Sequence, residues 1–189
     1  LDMVNEISDL LDQWEFDPKI KMILISGAGE KAFCAGGDIR ALYESMCSPE
    51  GPIFAETFFE SEYRLDYKIH NFPKPIVSIL DGIVMGGGAG LMFASTFKIA
   101  TERTRFAMPE IGVGLFPDVG FTSVIKDLPE GLGLYIMLTA SQLNASDMRF
   151  CNLVDSCLHH TKIEDFLLSV VKMAWHDDVN QNLTQLYSM

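Results

Sequence analysis

The feature that most restricts the fold is the alternation of short, unbroken apolar runs with segments of helical period. Residues 21–26 (Lys-Met-Ile-Leu-Ile-Ser) and 75–80 (Pro-Ile-Val-Ser-Ile-Leu) are strand-length and show no apolar/polar alternation. Runs of that kind suit strands covered on both faces, as in a parallel sheet. Between and around them the spacing is helical: Val4, Ile7, Leu10, Leu11 and Trp14 share one face, and Asp17-Pro18 stops that helix. The pattern predicts further helices over 39–46, about 53–71, 86–95, 119–127, 132–138 and 163–175, with Ser146 capping another. A third strand is expected over 97–101, a short one at Val154, and a loop from Gly27 to Asp38. Strands alternating with helices define an α/β chain with a largely parallel sheet. Three or four strands are thin cover for so many helices, and the first residue is Leu in what is already a helix. The chain is therefore expected to be a fragment of a longer one.

Composition narrows the function classes. A formal net charge of −12 with no basic cluster argues against nucleic acid, which needs concentrated Lys and Arg. Lys31, Arg40, Arg64, Lys68 and Lys74 could supply a local patch for a polyanionic ligand. No apolar run approaches the ~18 residues that span a bilayer, so no membrane partner is expected. The four cysteines form no C-x-x-C pair and read as free thiols in a reducing compartment. His159-His160 carries little weight as a metal pair, and no metal site is expected. Neither G-x-x-x-x-G-K-[ST] nor G-x-G-x-x-G occurs, which removes the usual phosphate cradles.

The chemistry-bearing residues cluster in three segments. Gly36-Gly37 and Gly86-Gly87-Gly88 each follow a strand or strand-loop and precede a helix, where backbone N–H groups are unpaired. In a parallel sheet, such turns face the crevice at the strand C-termini. Each could give one N–H to a developing oxyanion, worth roughly 2.7–4 kcal/mol in the transition state. Close helix–strand packing is the alternative reading for the glycines, and a plain helix cap the preferred one for Asp38. Glu110 and Asp118 stand eight residues apart in a Gly/Pro-studded loop whose neighbours are strongly apolar. That loop is expected to be buried and to draw its carboxyls in with it, so that one holds a proton near neutral pH. The alternative is that Asp118 caps the helix at 119 while Glu110 is solvated. Glu62 falls on the apolar stripe of Phe58, Leu65 and Ile69, so it is either paired or poised for a ligand; Arg64, two residues on, points elsewhere. No Ser-His-Asp set is in view, and Cys34 reads as a small buried thiol.

Three stretches together, residues 31–39 (Lys-Ala-Phe-Cys-Ala-Gly-Gly-Asp-Ile), 82–91 (Gly-Ile-Val-Met-Gly-Gly-Gly-Ala-Gly-Leu) and 107–120 (Ala107-Met108-Pro109-Glu110 through Pro117-Asp118-Val119-Gly120), resemble the crotonase (enoyl-CoA hydratase/isomerase) superfamily. With Phe58-Phe59 and Glu62-Tyr63, they are most similar to its hydrolase branch. The resemblance runs from the first residues to about Leu158. It implies a crotonase-like spiral of ββα units, with residues 1–160 as an acyl-CoA-binding core lacking its N-terminal strands and 161–189 as the start of a helical C-terminal region. It implies an oxyanion hole from the N–H groups of Gly37 and Gly87, Glu110 and Asp118 as the catalytic pair, and Glu62 as a further substrate-contacting acid. The implied activity is hydrolysis of 3-hydroxyisobutyryl-CoA or a similar short β-hydroxyacyl-CoA, as in valine catabolism, with coenzyme A only as part of the substrate and no separate cofactor. Hydratases of the superfamily carry a second catalytic Glu where this chain has Gly90, so water addition is not expected. An enoyl-CoA isomerase or hydratase and a non-catalytic interaction module are the alternatives. A homo-oligomer is compatible with the resemblance, and the compartment would be cytoplasmic in a bacterium or mitochondrial in a eukaryote.

Overall fold

In the computed structural model, residues 1–188 are described. The chain winds as a spiral in which the first six strands are dealt alternately to two sheets. The first turn comprises α1 (Asp2–Glu15), β1 (Ile23–Ser26), β2 (Ala32–Cys34), α2 (Ile39–Met46) and the long α3 (Gly51–His70). The second comprises β3 (Ile76–Leu80), β4 (Ile83–Met85) and α4 (Gly87–Ala94). The third begins with β5 (Phe97–Ala100) and β6 (Arg105–Ala107), passes a 3-10 turn at Glu110–Val113, and continues through α5 (Phe121–Val124) and α6 (Leu132–Thr139). Then come β7 (Leu143–Asn144), α7 (Ala145–Phe150), β8 (Ser156–Cys157), α8 (Ile163–Lys172) and α9 (Val179–Tyr187).

Strands β1, β3, β5 and β8 pair in that order, all parallel. Strands β2, β4 and β6 form a second parallel set, closed by the antiparallel β7. This is the ββα spiral, and the largely parallel sheet expected from the apolar runs is present. Side chains of β3 alternate as a strand requires. Ile76 and Leu80 enter the main core with Met92, Phe106 and Phe121, while Val77 joins Phe97, Ile99 and Leu186 in a smaller one. Trp175 and Leu183 pack on that second cluster, so the outer face of the first sheet is covered by the C-terminal helices.

The structure corrects several expectations. The expected loop over 27–38 contains β2, and β4 and β6 were not anticipated. Strands of three residues carry no readable period, and their partners lie tens of residues away. The short strand lies at Ser156–Cys157 and not at Val154, which is buried. Asn144, not Ser146, caps α7: it accepts from the N–H groups of Ser146 and Asp147 in a capping box. The expected helix over 119–127 is a single turn, Phe121–Val124, continued by a 3-10 segment at Ile125–Asp127.

Candidate active site

Three adjacent parallel strands place the chemistry. β2, β4 and β6 lie side by side, and parallel strands end on the same edge. Their C-terminal ends lead into Ala35-Gly36-Gly37, into Gly86-Gly87 and into Met108-Pro109-Glu110 respectively. Segments seventy residues apart in sequence thus meet because the register puts them there.

The two glycine turns touch. Gly36 and Gly86 have φ of +93° and +53°, conformations that side chains rarely adopt. A Cβ on Gly36 would lie 3.1 Å from the Gly87 nitrogen. One on Gly37 would strike the Phe58 ring at 2.4 Å, and one on Gly87 would lie 2.0 Å from Glu62 Oε1. Gly87 is the first residue of α4, so its N–H has no intrahelical acceptor, and the Gly37 N–H donates to no backbone carbonyl among the described residues. Asp38 caps α2, accepting from the Ala41 N–H at 2.9 Å, as expected.

Gly37, Glu62, Gly87, Glu110 and Asp118 all line one cavity of about 150 Å³, together with Phe58, Phe59, Val113 and Leu115. No Lys or Arg lines it. Glu110 is 6% exposed, and neither carboxyl oxygen has a hydrogen-bond partner among the described residues. Burial, aided by the nearby Asp118, raises its pKa. Glu62 is raised to about 7, chiefly by burial and then by Asp118. Asp118 accepts the Tyr63 hydroxyl at 2.5 Å; burial and this bond push the phenol up. The capping alternative for Asp118 is not realised, since Gly120 takes the N-cap position of α5. Val119, next in sequence, has φ of +42°, a strained conformation for a β-branched residue and one that clusters at functional sites.

The expected cause of Glu110 burial does not hold. Ile111, Val113 and Phe116 are exposed, and Glu110 is inside because it follows directly from a buried strand end, Ala107-Met108. Sequence reasoning also missed Asp66. It lies four residues beyond Glu62 on α3, and a Cβ on Gly90 would lie 2.4 Å from its Oδ2. The place that Gly90 leaves without a carboxyl is thus filled by one from another helix. The i+4 spacing from Glu62 on the same stripe was the available signal.

The suggested basic patch is largely committed elsewhere. Arg64 pairs with Glu60, Lys68 with Asp12, and Lys74 donates to the carbonyls of Trp14 and Asp17. The four cysteines are free thiols. His159 and His160 gather round Glu102, their ligand atoms within 4.8 Å of one another. Glu102 also accepts the His160 backbone N–H, so the cluster is accounted for as a tie between the β5–β6 turn and the start of the segment before α8. No helix among the described residues is long and apolar enough to cross a membrane.

Comparison with known proteins agrees with this architecture. The family model described as "Enoyl-CoA hydratase/isomerase" matches residues 1–189, and the chain belongs to that family. The chain is 41% identical over 173 residues to the mitochondrial 3-hydroxyisobutyryl-CoA hydrolase of Danio rerio, covering 92% of this chain and 45% of that protein. It is also 41% identical over 162 residues to the small ribosomal subunit protein mS47 of Neurospora crassa, covering 85% of this chain and 32% of that one. A crystal structure of a carnitinyl-CoA dehydratase from Mycobacterium thermoresistibile superposes with a TM-score of 0.86 at 38% identity, over 97% of this chain and 52% of that chain. The chain spans less than half the length of the curated relatives it matches.

Proposed function

We propose that the protein to which this chain belongs hydrolyses the thioester of 3-hydroxyisobutyryl-CoA or a similar short β-hydroxyacyl-CoA. The observation that carries the reading is the convergence of three strand ends on one cavity, bringing two unpaired amide N–H groups beside a buried, unpartnered Glu110. The names of the curated relatives support the substrate. In this reading residues 1–160 are the acyl-CoA-binding core and 161–189 the start of a helical C-terminal region. Coenzyme A enters only as part of the substrate.

The N–H groups of Gly37 and Gly87 hold the thioester oxygen as it becomes anionic. Glu110 either attacks the carbonyl carbon or takes a proton from water that does so. Asp118, fixed by the Tyr63 hydroxyl, orients the reacting group and helps manage the proton. Glu62, against Gly87, hydrogen-bonds the β-hydroxyl of the substrate. The vertebrate relatives named as mitochondrial support that compartment for a eukaryotic source.

The dehydratase neighbour and the carboxyl of Asp66 beside Gly90 favour a second reading, elimination or addition of water at an enoyl-CoA. Incubation with 3-hydroxyisobutyryl-CoA separates the two. Hydrolysis releases free thiol, whereas elimination leaves the thioester intact and creates a conjugated enoyl absorbance. Conjugation without thiol release would replace the hydrolytic reading.

A further inference from the structure

Asp66 is a half-buried residue with an inaccessible carboxyl beside the site, and the proposed reaction leaves it without a task. On α3 it stands one turn beyond Glu62, and the two carboxyls pack against Gly90 and Gly87 of α4, at 2.4 and 2.0 Å from where a Cβ would stand. Those glycines are three residues apart and share a helix face. The seam between the helices is therefore cut to hold two carboxyls, where packed helices ordinarily bury apolar groups. Both Asp66 oxygens are inaccessible and have no hydrogen-bond partner among the described residues. An ionised carboxylate there has nothing to replace its lost water, so the group is held as a neutral acid, able to donate as well as accept.

The ionisable groups that share its two cavities are Glu62, Tyr63, Tyr67 and His70 on its own helix, Asp118 from the loop, the Cys34 thiol from β2 and Asp38 at the start of α2; α4 contributes none. No Lys or Arg side chain is among them. Asp66 also joins two spaces. It lines the cavity of about 120 Å³ shared by Glu62, Gly37 and Gly87, and the cavity of about 460 Å³ that opens past Tyr63, Phe93 and Asp118.

Hydrolysis creates a need for such a link. Thioester plus water gives a carboxylic acid and a thiol, and near neutral pH the acid departs as its anion. One proton per turnover must therefore reach solvent. If it stays among the site's acids, Glu110 is left neutral and unable to act as base or nucleophile in the next cycle.

We propose that Asp66 is the proton exit of the site, passing a proton from Glu62 to water in the larger cavity. In each passage a rotation of the Asp66 carboxyl brings it to the larger cavity, where it gives its own proton to water; turned back toward Glu62, it takes the proton there. In each of the two transfers one O–H bond breaks and one forms, and Asp66 returns to its starting state while Glu62 has lost a proton to water. It touches no substrate atom, so it is a positioning residue for the proton. Burial raises Glu62 to about 7 and Asp66 to about 8, where transfer is easy in both directions near neutral pH.

The inference rests on the hydrolytic reading, and the test separates the two. Thiol release from 3-hydroxyisobutyryl-CoA is followed with wild type and Asp66→Asn, at low and high imidazole and across pH. Wild type should be indifferent to imidazole, while the variant should lose about tenfold in kcat at unchanged KM and regain most of it as imidazole is added. An unchanged kcat, or a loss that imidazole does not restore, overturns the exit; so does a variant that loses only enoyl-CoA formation. A wild type that releases no thiol sinks the hydrolytic reading instead. Should the variant not fold, infrared titration of wild type carrying isotope-labelled aspartate decides. A neutral Asp66 that ionises around neutral pH is expected, and one ionised throughout that range overturns the role.

Discussion

The long helix α3 buries two faces and treats charge on them in opposite ways. Toward α1, Lys68 donates to Asp12 at 2.8 Å and to Ser8 Oγ at 2.6 Å, so the cation is matched. Toward α4, Glu62 and Asp66 are pressed onto glycines with no cationic side chain beside them. The same helix could have carried a Lys on either side. Matched charge serves the fold, whereas unmatched burial lowers stability and is retained where chemistry needs a carboxyl with a raised pKa. Glu110 is likewise buried with no partner among the described residues, as the proposed chemistry requires.

The contrast breaks most severely at Gly87. Replacing it with Ala puts a methyl group 2.0 Å from Glu62 Oε1 and moves the amide proposed to hold the thioester oxygen. Activity should fall by a factor on the order of 10²–10³, measured as thiol release, in line with losing one oxyanion donor. Retention of activity would mean that the α4 N-terminus is not part of the site.

A change on the unmatched face should read out as stability against pH. Both acids have folded pKa values raised above the ordinary carboxyl range, to about 7 for Glu62 and about 8 for Asp66. Between the unfolded values near 4 and those folded values the native state binds more protons, so wild type loses stability as pH rises through that window. The Glu62→Gln/Asp66→Asn pair removes the loss. The variant should exceed wild type by on the order of a few kcal/mol in urea unfolding above about pH 8, with the difference vanishing toward pH 4. A variant weakened equally at both ends would show that the carboxyls are ordinary packing groups.

The smallest effect belongs to the matched face. Lys68→Met breaks a partly exposed pair, the two side chains being 30% and 62% accessible, so the expected change is at most about 1 kcal/mol. Thiol release should be unaffected. A larger activity loss than stability loss would tie α1 to the site.

How much of this was legible beforehand follows from what each element needs. β3 announces itself because a strand covered on both faces must be apolar throughout; β1, at the sheet edge, is as apolar in sequence but only partly covered, and Ile39–Met46 matched its helix because Asp38 is a good cap. β2, β4 and β6 were invisible. Each has three residues, and each is stabilised by neighbours far away in sequence. Yet those strands bring Gly37, Gly87 and Glu110 together. The glycine turns and the acids were legible as residue types, with family resemblance supplying their roles, but their meeting was not. Asp66 needed the structure altogether, because its significance lies in what stands opposite it, a glycine that no local pattern connects to α3.

The most direct test of the account compares wild type with Glu110→Gln in thiol release from 3-hydroxyisobutyryl-CoA. The amide keeps the shape of the buried side chain but can neither attack the carbonyl nor take a proton from water. The rate should fall by about 10³ while the fold and its unfolding midpoint persist. A variant that hydrolyses the thioester at the wild-type rate would contradict the claim that the cavity at these three strand ends is where the reaction occurs.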